Sequence, residues 1–257
     1  MFNRVLEHPL LMCGVLFALL LLSLELGRAL GRRSPGGSGG AGTGAVDGAI
    51  YALLGLMLAF TFSGAAQRFD QRRSLMVEEA NAIGTALLRV DIMPADAQPA
   101  MRDAFRRYTD SRIHAYAESG NIGRVREALD VSVAIQREIW DLAIAAGRRP
   151  DAQAATNQVL LPALNEMIDI TTTRSFAGLL HPPAVIYGLL VALALASSVL
   201  AGHGLAATPR RSWLHMACYA AVMTAAIYII IDMEHPRLGL IRVDGFEQML
   251  VRLTRPA

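Results

Sequence analysis

Four apolar runs separated by polar stretches organise this chain: residues 9–26, 46–66, 183–206 and 213–231. Each is about the length that crosses ~30 Å of hydrocarbon at ~1.5 Å per residue, and none carries an internal Lys or Arg. The pattern predicts an all-α membrane protein with four transmembrane helices. Residues 1–66 would hold helices 1 and 2, joined by a flexible Gly/Ser-rich loop at 31–45. Residues 67–182 form a cytosolic helical bundle continuous with helix 2, residues 183–233 hold helices 3 and 4, and residues 234–257 form a cytosolic tail.

Residues 51–73, YALLGLMLAFTFSGAAQRFDQRR, pass from lipid-compatible to strongly charged without a helix breaker. No proline occurs between Asp47 and Pro94, so the spacing predicts one helix of roughly 70 Å, about twice the hydrocarbon thickness. Further helices are expected over 99–118, 123–146 and 151–180, closed by Ser119–Gly120 and Gly147, with a bend at Pro162. In the helix expected over 123–146, Val125, Leu129, Val133, Ile135, Ile139, Trp140 and Leu142 predict a broad apolar face.

Composition agrees with the spans: 53% of the residues are hydrophobic and the mean hydropathy is +0.37. Glu25, Gly27 and Arg28 do not form a small-x-small cleavage site, so the first run reads as a retained anchor. Cys13 and Cys218 both fall in apolar runs and suggest neither a disulfide nor a redox pair. All basic residues are Arg. Arg4, Arg68, Arg72, Arg73, Arg174, Arg237 and Arg242 stand on one side of the expected membrane, against Arg28, Arg32, Arg33, Arg210 and Arg211 on the other. The excess places the termini and the central domain in the cytoplasm.

Residues four apart on a helix return to one face, which groups Ala52, Leu56 and Phe60 and sets Phe62 nearly opposite. Arg68, Arg72 and Arg73 follow at the base of the span. They suit a positive collar that attracts anions, or an anchor to anionic lipid headgroups. Glu78 and Glu79 lie beyond them, and Asp232 and Glu234 end the fourth run. Salt bridges from Glu78 or Glu79 to Arg237 or Arg242 are expected among these tail contacts. The acidic groups offer too few oxygen ligands for a metal, and no metal or other cofactor is expected. No catalytic residue is assigned: the histidines are dispersed, and no nucleophile elbow, phosphate loop or zinc-protease helix is present. Acidic residues interleave the central arginines without an aromatic stacking platform, which argues against nucleic acid.

Residues 54–87 carry Gly55-Leu56-x-Leu58-x-Phe60, then Arg68-Phe69, Arg72 or Arg73, and Asn81. This stretch resembles the second transmembrane helix and following cytosolic helix of bestrophins. It is closer still to the bacterial bestrophin-like proteins with four spans and a central soluble region. Apolar neck residues in bestrophins stand about eight, twelve and sixteen positions before a motif arginine, which counted back from Arg68 gives Phe60, Leu56 and Ala52, the face grouped above. The resemblance implies a homopentameric channel for inorganic anions such as chloride in the bacterial inner membrane, with apolar rings that gate by dewetting. Ala52 would leave a wider mouth. Asp70 departs from the family, which commonly has an aromatic there. The tail resembles in position the acidic segment at which some bestrophins bind calcium. A reading of another class, a non-conducting membrane scaffold or stress sensor that binds a cytoplasmic protein, predicts a dimer or monomer with solidly packed spans.

Overall fold

The computed structural model describes residues 9–33, 41–118, 122–153, 155–179, 181–207, 212–234 and 249–251. Among them every regular element is helical: α1 (Pro9–Arg33), α2 (Ala41–Leu88), α3 (Gln98–Ala117), α4 (Ile122–Gly147), α5 (Ala155–Leu179), α6 (Ala184–Gly204) and α7 (Trp213–Glu234). Short 3-10 turns follow α2 at Arg89–Ile92 and α6 at Leu205–Ala207. Among the described residues four helices have the length and composition to cross a membrane: α1, α2, α6 and α7.

The expected loop at 31–45 is shorter than its composition suggested. Residues 31–33 complete α1 and 41–45 open α2, while 34–40 lie outside the described residues. Extending an existing helix adds a hydrogen bond per residue without a new nucleation cost, so the apolar runs carry the helices into glycine-rich flanks. Arg32 and Arg33 in the last turn of α1 complement its negative dipole end.

The chain divides into two compact units, Met1–Phe69 with His181–Ile241 and Asp70–Leu180 with Arg242–Ala257. Helix α2 contributes to both. The first unit is built from α1, the start of α2, α6 and α7 around Leu16, Leu20, Leu54, Leu190, Ile227 and Ile230. Within it α1 and α6 run side by side in the same direction. A Cβ on Gly27 would stand 1.9 Å from the Val199 carbonyl oxygen, and one on Gly202 would stand 1.9 Å from that of Leu24. Only glycine lets two backbones approach this closely, and small residues serve this purpose between membrane helices.

In the second unit the end of α2, α3, α4 and α5 enclose Ile83, Phe105, Tyr108, Ile139, Leu164 and Met167, joined by Leu250. Pro162 is accommodated inside α5. The inward stripe of α4 differs from the apolar face expected. Ala128, Ser132, Ile135, Gln136, Ile139, Ala143 and Ala146 are buried, whereas Val133 is exposed. Polar Ser132 and Gln136 take inward positions because partners await them: the Ser132 hydroxyl lies 2.9 Å from that of Ser111, and Gln136 Nε2 donates to the Tyr108 hydroxyl at 3.1 Å. Thr171 spends its own proton on the Met167 carbonyl, so Tyr108, 2.7 Å away, donates to Thr171.

Candidate pore face and the charges beside it

In the first unit, α2 buries Leu54 and Ala65 against neighbouring helices and leaves Ala52, Leu56 and Phe60 exposed. Leu56 retains 51% of its accessible surface and Phe60 67%. The three residues grouped by spacing are thus not packed against spans of their own chain. Phe62 on the other side is also exposed, so one copy leaves more than one side of α2 uncovered. Thr61 between them donates to the Met57 carbonyl at 2.7 Å, which satisfies its hydroxyl inside the helix.

Arg68 does not stand free at the base of this face. Its Nε donates to Glu234 Oε1 at 2.6 Å, and its Nη2 pairs with the same oxygen. The Glu234 side chain is fully buried, while that of Arg68 keeps about a third of its surface. His181 Nδ1 stands 3.8 Å from Glu234 Oε2, beyond hydrogen-bond reach. Asp232 is buried two residues earlier and accepts from the Tyr228 hydroxyl at 3.3 Å. Further along α2, Arg72 is half-buried and Arg73 exposed, with Arg73 Nη1 3.9 Å from Asp70.

Glu79 occupies an unexpected position. Its carboxylate is wholly buried in the second unit, where Arg112 Nε of α3 donates to Oε1 at 2.6 Å and Arg174 Nη1 of α5 pairs with Oε2. Arg112 and Arg174 are themselves almost entirely enclosed, and the Arg174 guanidinium lies over the Tyr116 ring at 5.4 Å. Burial alone would push the Arg112 guanidinium down, but Glu79 beside it holds it above its ordinary value. Arg174 goes the other way: burial pushes it down, against the pull of Glu79 and with repulsion from Arg112 added. Arg237, one expected partner of the acidic pair, lies with Arg242 outside the described residues, and Glu78 is exposed.

The sequence held a signal for this ion trio. Met101, Phe105, Tyr108, Arg112 and Ala115 recur at alternating steps of four and three along α3, and all five are buried. Leu160, Leu164, Met167, Thr171 and Arg174 follow the same steps along α5, and Leu75, Glu79, Ile83, Ala86 and Val90 recur at steps of four or three along α2 and its 3-10 extension. A lone charge on an otherwise apolar stripe implies burial, and burial implies a partner on a facing helix. Among the described residues no group of three or more His, Cys, Asp or Glu side chains gathers where a metal could sit.

A family model described as a Bestrophin-like domain matches residues 12–245, nearly the whole chain. No curated protein matches, and no solved structure does.

Proposed function

Because this chain belongs to the bestrophin-like family, we propose that it is a homo-oligomeric, pentameric anion channel of the bacterial inner membrane, with its termini and central domain in the cytoplasm. The observation that carries the reading is the exposure of Leu56 and Phe60 on a helix that buries Leu54 and Ala65 within its own unit. Large apolar groups left uncovered in a membrane helix face either acyl chains or copies of the same chain. The family's architecture favours copies surrounding an axis. On that arrangement Phe60 and Leu56 form rings through which an ion passes only by shedding water without a polar substitute, and Ala52 forms a wider mouth. Arg68, Arg72 and Arg73 shape the field on the cytoplasmic side, with Arg68 moderated by its carboxylate partner.

Purified protein in planar bilayers should pass chloride. Phe60→Ala should raise the single-channel conductance by about twofold or more, because it widens the narrowest apolar ring. A current-silent oligomer, or a Phe60→Ala variant with wild-type conductance, would remove the reading. Electron microscopy separates it from a packed scaffold: five subunits around an open second helix support conduction, and a compact dimer does not.

A further inference from the structure

The carboxylate at the end of α7 has no accessible surface, although a lone buried carboxylate is among the costliest groups a protein can hold. It is retained where a guanidinium from α2 meets it with two nitrogens. The Arg68 side chain folds back over the preceding turn of its own helix. There a Cβ on Gly64 would stand 3.2 Å from Nη1 and 3.3 Å from Nη2, so the absence of a side chain at Gly64 gives the guanidinium its space. Position 64 makes room, Glu234 supplies the hold, and Arg68 is directed toward α7 rather than extended into solvent.

We infer that Glu234 is a charge-setting residue for ion selection: it fixes the guanidinium of Arg68 and subtracts one charge per subunit from the field at the inner end of the exposed α2 face. The inference rests on the proposed channel function, since the field matters only where ions pass. A carboxylate in direct contact with Arg68 removes most of its attraction for an ion ~10 Å away, where an isolated charge in water still acts across about one Debye length. The residue therefore tunes selectivity without standing in the path. His181 Nδ1 stands 3.8 Å from the second carboxylate oxygen, so the Arg68 variant and the double variant are needed to assign any change to the Arg68 charge.

The test compares wild type, Glu234→Gln, Arg68→Gln and the double variant as full-length oligomers in planar bilayers. Reversal potentials are read under a tenfold potassium chloride gradient. Glu234→Gln should raise the chloride-to-potassium permeability ratio by about threefold, because it exposes the Arg68 field. Arg68→Gln should lower the ratio by a similar factor. The double variant restores the net charge and should return to the wild-type ratio. If Glu234→Gln fails to assemble, recovery of the oligomer in the double variant supports charge imbalance as the cause, and the ratio of Arg68→Gln still reports the sign. Equal ratios in wild type and Glu234→Gln, or a double variant that behaves like Glu234→Gln, would overturn the inference while leaving conduction intact. A silent wild type withdraws both.

Discussion

Glu79→Ala should cost the second unit about 3–5 kcal/mol, the penalty for stranding buried charge when one member of an internal ion group is removed. Two guanidiniums from α3 and α5 converge on that one carboxylate, and its loss leaves them facing each other across a space that water does not reach. Burial and repulsion from Arg112 already push Arg174 down with Glu79 in place. Thermal unfolding of the full chain in detergent should show the loss, and hydrogen exchange should accelerate first in α3 and α5. A matched control separates charge from shape. Replacing the trio together, with Glu79→Met, Arg112→Leu and Arg174→Met, should recover much of the stability, since well-packed apolar substitutes commonly equal a buried ion group. A Glu79→Ala protein that unfolds within about 1 kcal/mol of wild type would show that the trio contributes little.

The second large effect is expected from a single methyl group. Gly202→Ala should destabilise the membrane-spanning unit by about 3 kcal/mol or more, at the upper end of overpacking costs. The new Cβ would stand 1.9 Å from the Leu24 carbonyl oxygen, and backbone cannot swing aside as a flexible side chain can. Helices α1 and α6 would have to separate, losing contact along Leu24, Gly27, Val199 and Gly202 together. Gly188→Ala lies on the same helix, where a Cβ meets nothing within 4 Å. It should leave stability unchanged or raise it by about 0.5–1 kcal/mol through the greater helix propensity of alanine. Fluorescence-detected size exclusion after heating, run on both variants, checks the contrast. Equal melting of Gly202→Ala and wild type would mean that the two helices are not in backbone contact.

Comparison of these two sites shows what could be read from the chain. The bundle of α3, α4 and α5 was legible to within a few residues because its breakers are local: Pro99 near the start of α3 and Gly147 at the end of α4 punctuate the sequence directly. Grouping Ala52, Leu56 and Phe60 needed only the 100° step of a helix. The partner of Glu79 was not legible in the same way. The Glu79 stripe was visible, but which of 24 arginines answered it depended on packing between helices.

By itself the sequence determined the number and type of elements, the four apolar runs, the unbroken second helix and the residues that share its face. These follow from run length, periodicity and the absence of proline, all properties of neighbouring residues. Tertiary structure alone decided that Arg68 is held by Glu234, 166 positions away, and that Glu79 is shared by Arg112 and Arg174 at separations of 33 and 95. It also decided that Gly27 and Gly202 sit at backbone crossings while Gly188 does not. A buried charge takes the partner that folding brings within hydrogen-bond distance, and between separate helices the separation along the chain does not say which partner that is.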